Sequence, residues 1–186
     1  MPFARGPVLT YTGRGRYSTV GPTEYVGDPG SGGDVITIPG GFTTDLASVP
    51  RLFWALIPPQ GAYESAAVLH DYLCAQLAEQ YAGTYRVDID AWTPERGWPQ
   101  RISARDTDGL FRRVMREAGV PFLIRWVMWV GVRWGALANP ARRSGWWRDA
   151  PLVVFLSALG LAVTLLLLWA AHEAVDAFLR LITRGR

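Results

Sequence analysis

The spacing of hydrophobic positions changes along the chain and predicts two kinds of local structure. Residues 1 to 40 alternate short apolar runs with Gly, Pro and Asp turns, a pattern typical of short antiparallel strands. Residues 63 to 80 follow a helical period, with Ala67, Leu69, Leu73 and Leu77 available to a core. A second helix is predicted over residues 103 to 118. We therefore expect an α+β fold in which a small antiparallel sheet is packed by two to three helices.

Three further segments lie between or after these elements. Pro50 can occupy the first position of a short helix over residues 51 to 57, and residues 82 to 102 read as an insertion loop or hairpin. A third helix, over residues 120 to 137, carries three Trp and two Arg. It can be a core helix of the domain, or an interfacial helix that turns Arg125 and Arg133 toward lipid headgroups.

The last part of the chain differs from everything before it. Residues 151 to 171 read PLVVFLSALGLAVTLLLLWAA and contain no charged side chain. As a helix this stretch is about 31 Å long, which matches a bilayer hydrocarbon core of about 30 Å. The pattern predicts a soluble α+β domain at 1–137, a linker at 138–150, a single transmembrane helix at 151–171 and a short basic tail at 172–186.

The N-terminal residues and the arginines around the apolar stretch bear on which side of the membrane the domain occupies. The first fifteen residues lack the apolar core of a secretory signal, which favours a single-pass membrane protein whose domain is cytoplasmic. Three arginines flank each end of the apolar stretch, so the positive-inside rule adds little. A net charge of +3 is too small to indicate nucleic acid, and we expect membrane lipid as the partner.

Composition removes several classes of chemistry. All 19 basic residues are Arg, which excludes a lysine phosphate loop, a Schiff-base lysine and a lysine base. The single cysteine, Cys74, excludes an intrachain disulfide and a cysteine-built zinc site. Only His70 and His172 are available as histidines, so a multi-histidine metal centre is excluded as well.

One group of residues could carry catalysis. His70 and Asp71 adjoin on the first helix, and Asp108 can approach His70 if the next helix packs antiparallel. A carboxylate on one imidazole nitrogen fixes the tautomer and leaves the other nitrogen to deprotonate a water. Asp71 could then hold a cation, with backbone carbonyls from a nearby turn and, as a second metal ligand, Asp45.

Structural roles are open for the same residues. A His–Asp hydrogen bond can simply satisfy a buried histidine. Asp45 and Ser48 can bond local backbone N–H groups, as Asx and Ser/Thr turns do. Arg105 and Asp108, three residues apart, can form a helix-surface pair that competes with His70.

Four motifs resemble a known family. The segments GFTTDLASVPR, AAVLHDYL, RDTDGLF and VRWG together resemble the phage and prophage family called domain of unknown function 1353, over about residues 38 to 135. The resemblance implies a phage or prophage origin and carries no settled activity.

A weaker resemblance adds a chemical expectation. The HDY segment with a following R-x-x-D-x-x-F is similar to the core of the calcium-dependent secreted phospholipases A2. It implies that His70 activates water, that Asp71 binds calcium and that Asp108 orients the histidine. TTDLASVP would replace the usual Gly-rich calcium loop, and the paired cysteines of those enzymes are missing.

Two functional hypotheses follow. In the first, the domain is a membrane-anchored, metal-dependent hydrolase of phospholipid esters. In the second, it is a non-enzymatic phage membrane protein that acts in lysis, superinfection exclusion or assembly through a phage or host membrane protein.

Overall fold

The computed structural model describes residues 3, 6–27, 35–46, 61–83 and 102–184. The predicted short helix over 51–57, nearly all of the predicted insertion at 82–102, and Ser48 lie outside these residues. Within them the chain forms antiparallel strands and four α-helices, which confirms the α+β fold class.

The strands form two small antiparallel sheets. In the first, β1 (Leu9–Gly13) pairs with β2 (Arg16–Thr19), and β2 pairs with the short β5 (Thr43–Thr44). In the second, β3 (Thr23–Val26) pairs with β4 (Val35–Ile38). The alternation of buried and exposed positions in β3 and β4 places Tyr25, Ile36 and Ile38 in the core.

A turn carries the chain from β4 into β5. Gly41 has φ +81°, a left-handed conformation that glycine adopts without steric cost. Its N–H donates to Thr19 O at 2.7 Å, and the hydroxyl of Thr19 accepts from Phe42 N at 2.9 Å. These bonds hold β5 against β2, and β5 in turn contacts the first helix.

Three helices pack beside the sheets. They are α1 (Glu64–Ala82), α2 (Ala104–Glu117) and α3 (Phe122–Ala138), within one to two residues of the predicted ends. Ser103 caps α2 through a capping box with Asp106, since each side chain accepts from the other residue's backbone N–H. The α1–α2 and α2–α3 contacts bury α2 between its neighbours, with Leu110, Phe111, Val114 and Met115 facing the core.

The final helix, α4 (Ala150–Arg184), belongs to a separate compact unit that begins at Trp147. Over Ala150–Thr183, its most apolar 18-residue stretch has a mean hydropathy of 2.6, so length and composition suffice to cross a membrane. At 35 residues and about 1.5 Å per residue, the helix is about 52 Å long. It therefore continues beyond the predicted span into the polar stretch that contains His172 and Asp176.

Candidate functional site

Two of the predicted catalytic residues meet in the interior of the domain. His70 on α1 lies opposite Asp108 on α2, and His70 Nε2 is 2.7 Å from Asp108 Oδ1. The imidazole is 6% exposed and Asp108 is fully buried. Phe111, one turn beyond Asp108, packs its ring on the imidazole with centroids 4.7 Å apart. The antiparallel approach of the two helices predicted from the sequence therefore brings this pair into hydrogen-bond contact.

Two arginines share the same carboxylate. Arg133 on α3 donates from Nη1 to Asp108 Oδ2 at 2.9 Å, and Arg142 donates from Nη2 to Asp108 Oδ1 at 2.5 Å. Both guanidiniums are buried. The aspartate thus links α1, α2, α3 and the segment after α3.

The segment after α3 is folded so that Arg142 points inward. Asn139 ends the helix, and its side-chain oxygen accepts from Ala141 N at 3.0 Å while its carbonyl accepts from Arg142 N at 2.9 Å. This Asx-type turn reverses the chain. Farther on, Trp146 Nε1 donates to Arg133 O at 2.6 Å, which fastens the segment to α3.

These contacts fix the tautomer of His70. A carboxylate bonded to two guanidiniums is an acceptor, so Nε2 carries the hydrogen and Nδ1 carries the lone pair. Arg142 Nη2 lies 3.4 Å from Nε2, but both atoms are donors, so this is a packing contact rather than a hydrogen bond. Burial lowers the pKa of His70, the bond to Asp108 opposes that shift, and the charge of Arg142 adds to it. The imidazole is therefore neutral at pH 7.

The Nδ1 edge of the imidazole lies near the carboxyl group of Asp71. Asp71 Oδ1 is 4.0 Å from His70 Nδ1. The Thr44 hydroxyl donates to Asp71 Oδ2 and itself accepts from Leu46 N at 2.9 Å. Asp45 lies close enough to Asp71 for its carboxyl group to raise the pKa of Asp71.

This arrangement changes the acidity of Asp71. Burial raises its pKa to about 7, the Thr44 hydroxyl opposes that shift, and the charge and hydrogen bond of Asp45 contribute further to the increase. Asp71 is thus partly protonated at neutral pH. Burial next to a second carboxyl group is a known means of bringing the pKa of an acid near neutrality.

The backbone beside this pair is strained. Leu46 has φ +60°, which is uncommon for a residue with a branched side chain, and its side chain is nevertheless buried. The conformation turns Leu46 N onto the Thr44 hydroxyl. Strained backbone of this kind accumulates at functional sites, where the surrounding structure maintains it.

Cys74 contacts the imidazole but is not a nucleophile. Its Sγ is 3.8 Å from Nδ1 and 3.7 Å from Nε2 of His70. Burial raises the thiol pKa to about 12, so the reactive thiolate is scarce at pH 7.

The described side chains near Asp71 offer few of the oxygen ligands that calcium requires. Asp71 lies near Asp45, and Thr44 adds one oxygen. Calcium takes six to eight oxygens. Among the described residues no group of three or more His, Cys, Asp or Glu side chains could hold a metal. Backbone carbonyls and water would have to complete the shell.

The structure corrects two contacts considered from the sequence. Asp108 faces His70 and the buried arginines, whereas Arg105 is exposed. The interfacial interpretation of the third helix turned Arg133 toward lipid. That orientation is wrong, because Arg133 is 1% exposed and bonded to Asp108. Arg133 and Arg142 are site residues that the sequence reasoning missed.

The comparisons with known proteins identify a family without an assigned activity. A family model described as "Protein of unknown function (DUF1353)" matches residues 20–132, and the chain belongs to this family. The match includes His70, Asp71, Asp45 and Asp108 but ends before Arg133 and Arg142.

A curated relative covers a shorter stretch. The "Uncharacterized protein y4jT" of Sinorhizobium fredii (strain NBRC 101917 / NGR234) is 41% identical over 51 residues, which is 26% of this chain and 15% of that protein. No solved structure matches significantly. These findings confirm the first resemblance; they do not support the similarity to secreted phospholipases A2.

Proposed function

We propose that this protein is a membrane-anchored hydrolase that cleaves an ester of a membrane lipid, with His70 as the general base. The observation that carries the proposal is the 2.7 Å contact between His70 Nε2 and Asp108 Oδ1, which leaves Nδ1 as the basic atom. The apolar helix α4 supports the substrate class, since it would confine the domain to a lipid surface.

The reaction follows from the protonation states. Nδ1 of the neutral imidazole takes a proton from water as the water oxygen attacks the ester carbonyl. When the carbonyl re-forms and the carbon–oxygen bond to the leaving alkoxide breaks, Nδ1–H returns the proton to that oxygen. Asp108 holds the ring and stabilises the imidazolium that forms between these steps.

The charges near His70 determine how well it can act as a base. One carboxylate and two guanidiniums lie on the Nε2 side; burial and the charge of Arg142 oppose protonation of His70, whereas Asp108 favours it. An ionised Asp71, 4.0 Å from Nδ1, offsets that opposition. The rate should therefore rise with pH through about 7, as Asp71 loses its proton.

We also propose that Asp71 and Asp45 would serve as ligands of a calcium ion. When bound, it would polarise the ester carbonyl and hold Asp71 in its charged form. The proton transfers at His70 do not pass through it.

The test uses full-length protein in vesicles that contain phosphatidylcholine and phosphatidylglycerol, with released fatty acid as the readout. His70→Gln retains a donor toward Asp108 but lacks the basic nitrogen, so activity should fall by a factor of about 10²–10⁴. His172→Gln is the matched control, because His172 is exposed on α4, and its activity should equal that of the wild type. Each protein is assayed with and without a chelator.

Equal rates in His70→Gln and wild type would overturn the hydrolase proposal, as would an inactive wild type on every ester tested. A loss of activity in chelator, restored by calcium, would support metal binding at Asp71 and Asp45.

A second function is favoured by a separate observation. Asp108 is bonded to two buried guanidiniums as well as to His70, which is how a structural ion cluster is built. In this alternative the domain is a non-enzymatic membrane protein that acts through protein partners. It predicts no hydrolysis by wild type, together with a large drop in melting temperature for His70→Ala.

A further inference from the structure

One face of α3 leaves large apolar side chains in solvent. Leu123, Val127, Trp134 and Leu137, with the half-buried Val130 between them, recur every three or four residues and so form one stripe along the helix, in which Trp134 also packs on Trp146. Exposure reaches 72% at Leu123 and is still 40% at Leu137. The opposite face carries the buried residues Met128, Trp129, Arg133 and Ala136. Because α3 is already packed through that opposite face, the exposed stripe is not needed for the core.

Arginines cluster around the first two turns of α3, next to the aromatic rings of Phe122 and Trp126. The Arg112 guanidinium sits over the Trp126 ring at 4.3 Å, and that of Arg125 lies 5.7 Å from the Phe122 ring. Arg116 is close enough to Arg112 for the two charges to repel. Basic side chains that stack on aromatic rings beside an apolar face are typical of helices that lie in a membrane interface.

These cations are not neutralised by carboxylates in the described part of the chain. No ion pair there includes Arg112, Arg116 or Arg125; the neighbouring Glu117 instead faces Arg113 at 3.8 Å. The Nε atoms of Arg112 and Arg125 are buried and have no hydrogen-bond partner among the described residues. Burial, together with the charges of Arg116 and Arg125, lowers the pKa of Arg112. An anion at this place would remove the repulsion.

The first turn of α3 adds to the positive electrostatic potential that these arginines create. Pro121 precedes the helix, and no side chain caps its first turn. The N–H groups of an uncapped first turn and the positive end of the helix dipole favour an anion. The cations and the helix start therefore lie at the same end of α3.

The chain itself limits what can reach this surface. Residues 139 to 149, eleven in all, connect α3 to α4. Even fully extended, eleven residues span only about 40 Å. If α4 crosses a bilayer, as the proposed function requires, a lipid surface is present near the domain at all times.

We propose that the exposed stripe of α3 docks on the headgroup region of a bilayer and that Arg112, Arg116 and Arg125 bind the phosphates of anionic lipids there. The inference rests on the membrane anchoring in the proposed function, but not on hydrolysis. It names a second, peripheral lipid contact and gives its lipid class. The apolar side chains from Leu123 to Leu137 enter the interface, while the arginines give the contact its preference for negative charge.

The test places a polarity-sensitive fluorophore on α3 in the full chain. In a Cys74→Ser background, the label is attached at Leu123→Cys or, as a control, at Thr10→Cys, an exposed position on β1. The protein is inserted into vesicles of phosphatidylcholine with or without phosphatidylglycerol, and a lipid with a shallow nitroxide serves as quencher. Carbonate extraction of the same samples reports whether α4 is inserted.

We expect the label at position 123 to be quenched several-fold more strongly in vesicles with phosphatidylglycerol, and the label at position 10 to be unaffected. Replacing Arg112 and Arg125 by Gln should remove the dependence on phosphatidylglycerol. An aqueous, unquenched label at position 123 in a carbonate-resistant chain would overturn the docking proposal and leave the anchoring intact. A shielded label that lipid does not quench would show that protein covers the stripe, and would overturn the proposal too.

Extraction of the chain by carbonate would instead contradict the anchoring. If the label at position 123 were still quenched in that case, the result would support docking of α3 on lipid without an inserted α4.

Discussion

The two nitrogens of His70 face regions of opposite construction. On the Nε2 side, one buried carboxylate meets two buried guanidiniums, and the charges sum to +1. On the Nδ1 side, Asp71 and Asp45 lie beside the Thr44 hydroxyl, and burial raises the pKa of Asp71 to about 7. The first region stabilises the packing of α1, α2 and α3. In the second region the pKa of Asp71 is raised to about 7. The imidazole of His70 therefore lies between a structural ion cluster around Asp108 and an acidic group, Asp71, that titrates near pH 7.

The largest effect should come from the structural side. Asp108→Asn removes the carboxylate that binds the buried guanidiniums of Arg133 and Arg142, which costs about 3–5 kcal/mol of folding free energy. Thermal unfolding followed by Trp fluorescence measures the loss. The control is Asp106→Asn on the same helix, where only an exposed capping contact changes and about 1 kcal/mol is at stake. Equal melting temperatures for the two variants would show that the ion cluster does not stabilise the fold.

The titrating side should respond to pH. Because the pKa of Asp71 is raised to about 7 in the fold, the native state holds a proton that the unfolded chain releases near pH 4. The contribution of Asp71 to stability therefore declines as pH rises from about 4 to about 7 and is constant above that. Asp71→Asn removes the decline, so the variant should gain on the order of 4 kcal/mol over wild type across this window.

The comparison with Asp71→Asn also has to account for His70. The lowered pKa of His70 acts in the opposite direction, since stability is lost as pH falls below about 6.5 in both proteins. The difference between the two unfolding profiles therefore reports the titration of Asp71 together with its electrostatic effect on His70. A difference that does not change with pH would contradict the raised pKa of Asp71.

Arg142 couples the two regions through charge. Arg142→Met removes a charged hydrogen bond to Asp108 that is worth about 1.5–3 kcal/mol, and it also removes a cation that lowers the pKa of His70. The pKa of His70 should therefore rise in the variant, as measured by NMR titration of the imidazole. Arg143→Met, one residue later and exposed, should leave that pKa unchanged.

The smallest effect concerns how α2 begins. Ser103→Ala removes the capping box that starts the helix carrying Asp108, and should cost about 1 kcal/mol. The pKa of His70 should be unaffected, because Asp108 lies more than a turn inside the helix. A shift of that pKa would show that the cap also positions the carboxylate.

The sequence predicted the helices and the central pair because both depend on local patterns. Helical periods placed α1, α2 and α3, and a His–Asp motif facing a carboxylate on the next helix indicated His70 and Asp108. Arg133 and Arg142 could not be found in this way, since their role depends on how α3 and the Asx turn at Asn139 return the chain. A charged residue within the apolar stretch VGVRWGAL was the available signal, because a buried arginine requires a partner.

The pairing of Asp71 with Asp45 illustrates a different limit. Both residues were candidates, but the raised pKa comes from burial and from their mutual contact, neither of which the sequence displays. The strained backbone of Leu46 is likewise set by tertiary packing rather than by local propensity.

The tautomer of His70 tests the central claim most directly. Nitrogen-15 NMR of the full chain in detergent distinguishes a protonated from an unprotonated imidazole nitrogen, and His172→Gln leaves His70 as the only histidine to observe. At pH 7 we expect a neutral ring with the hydrogen on Nε2 and the lone pair on Nδ1. A hydrogen on Nδ1, or a doubly protonated ring, would contradict both the base assignment and the division of the site into two regions.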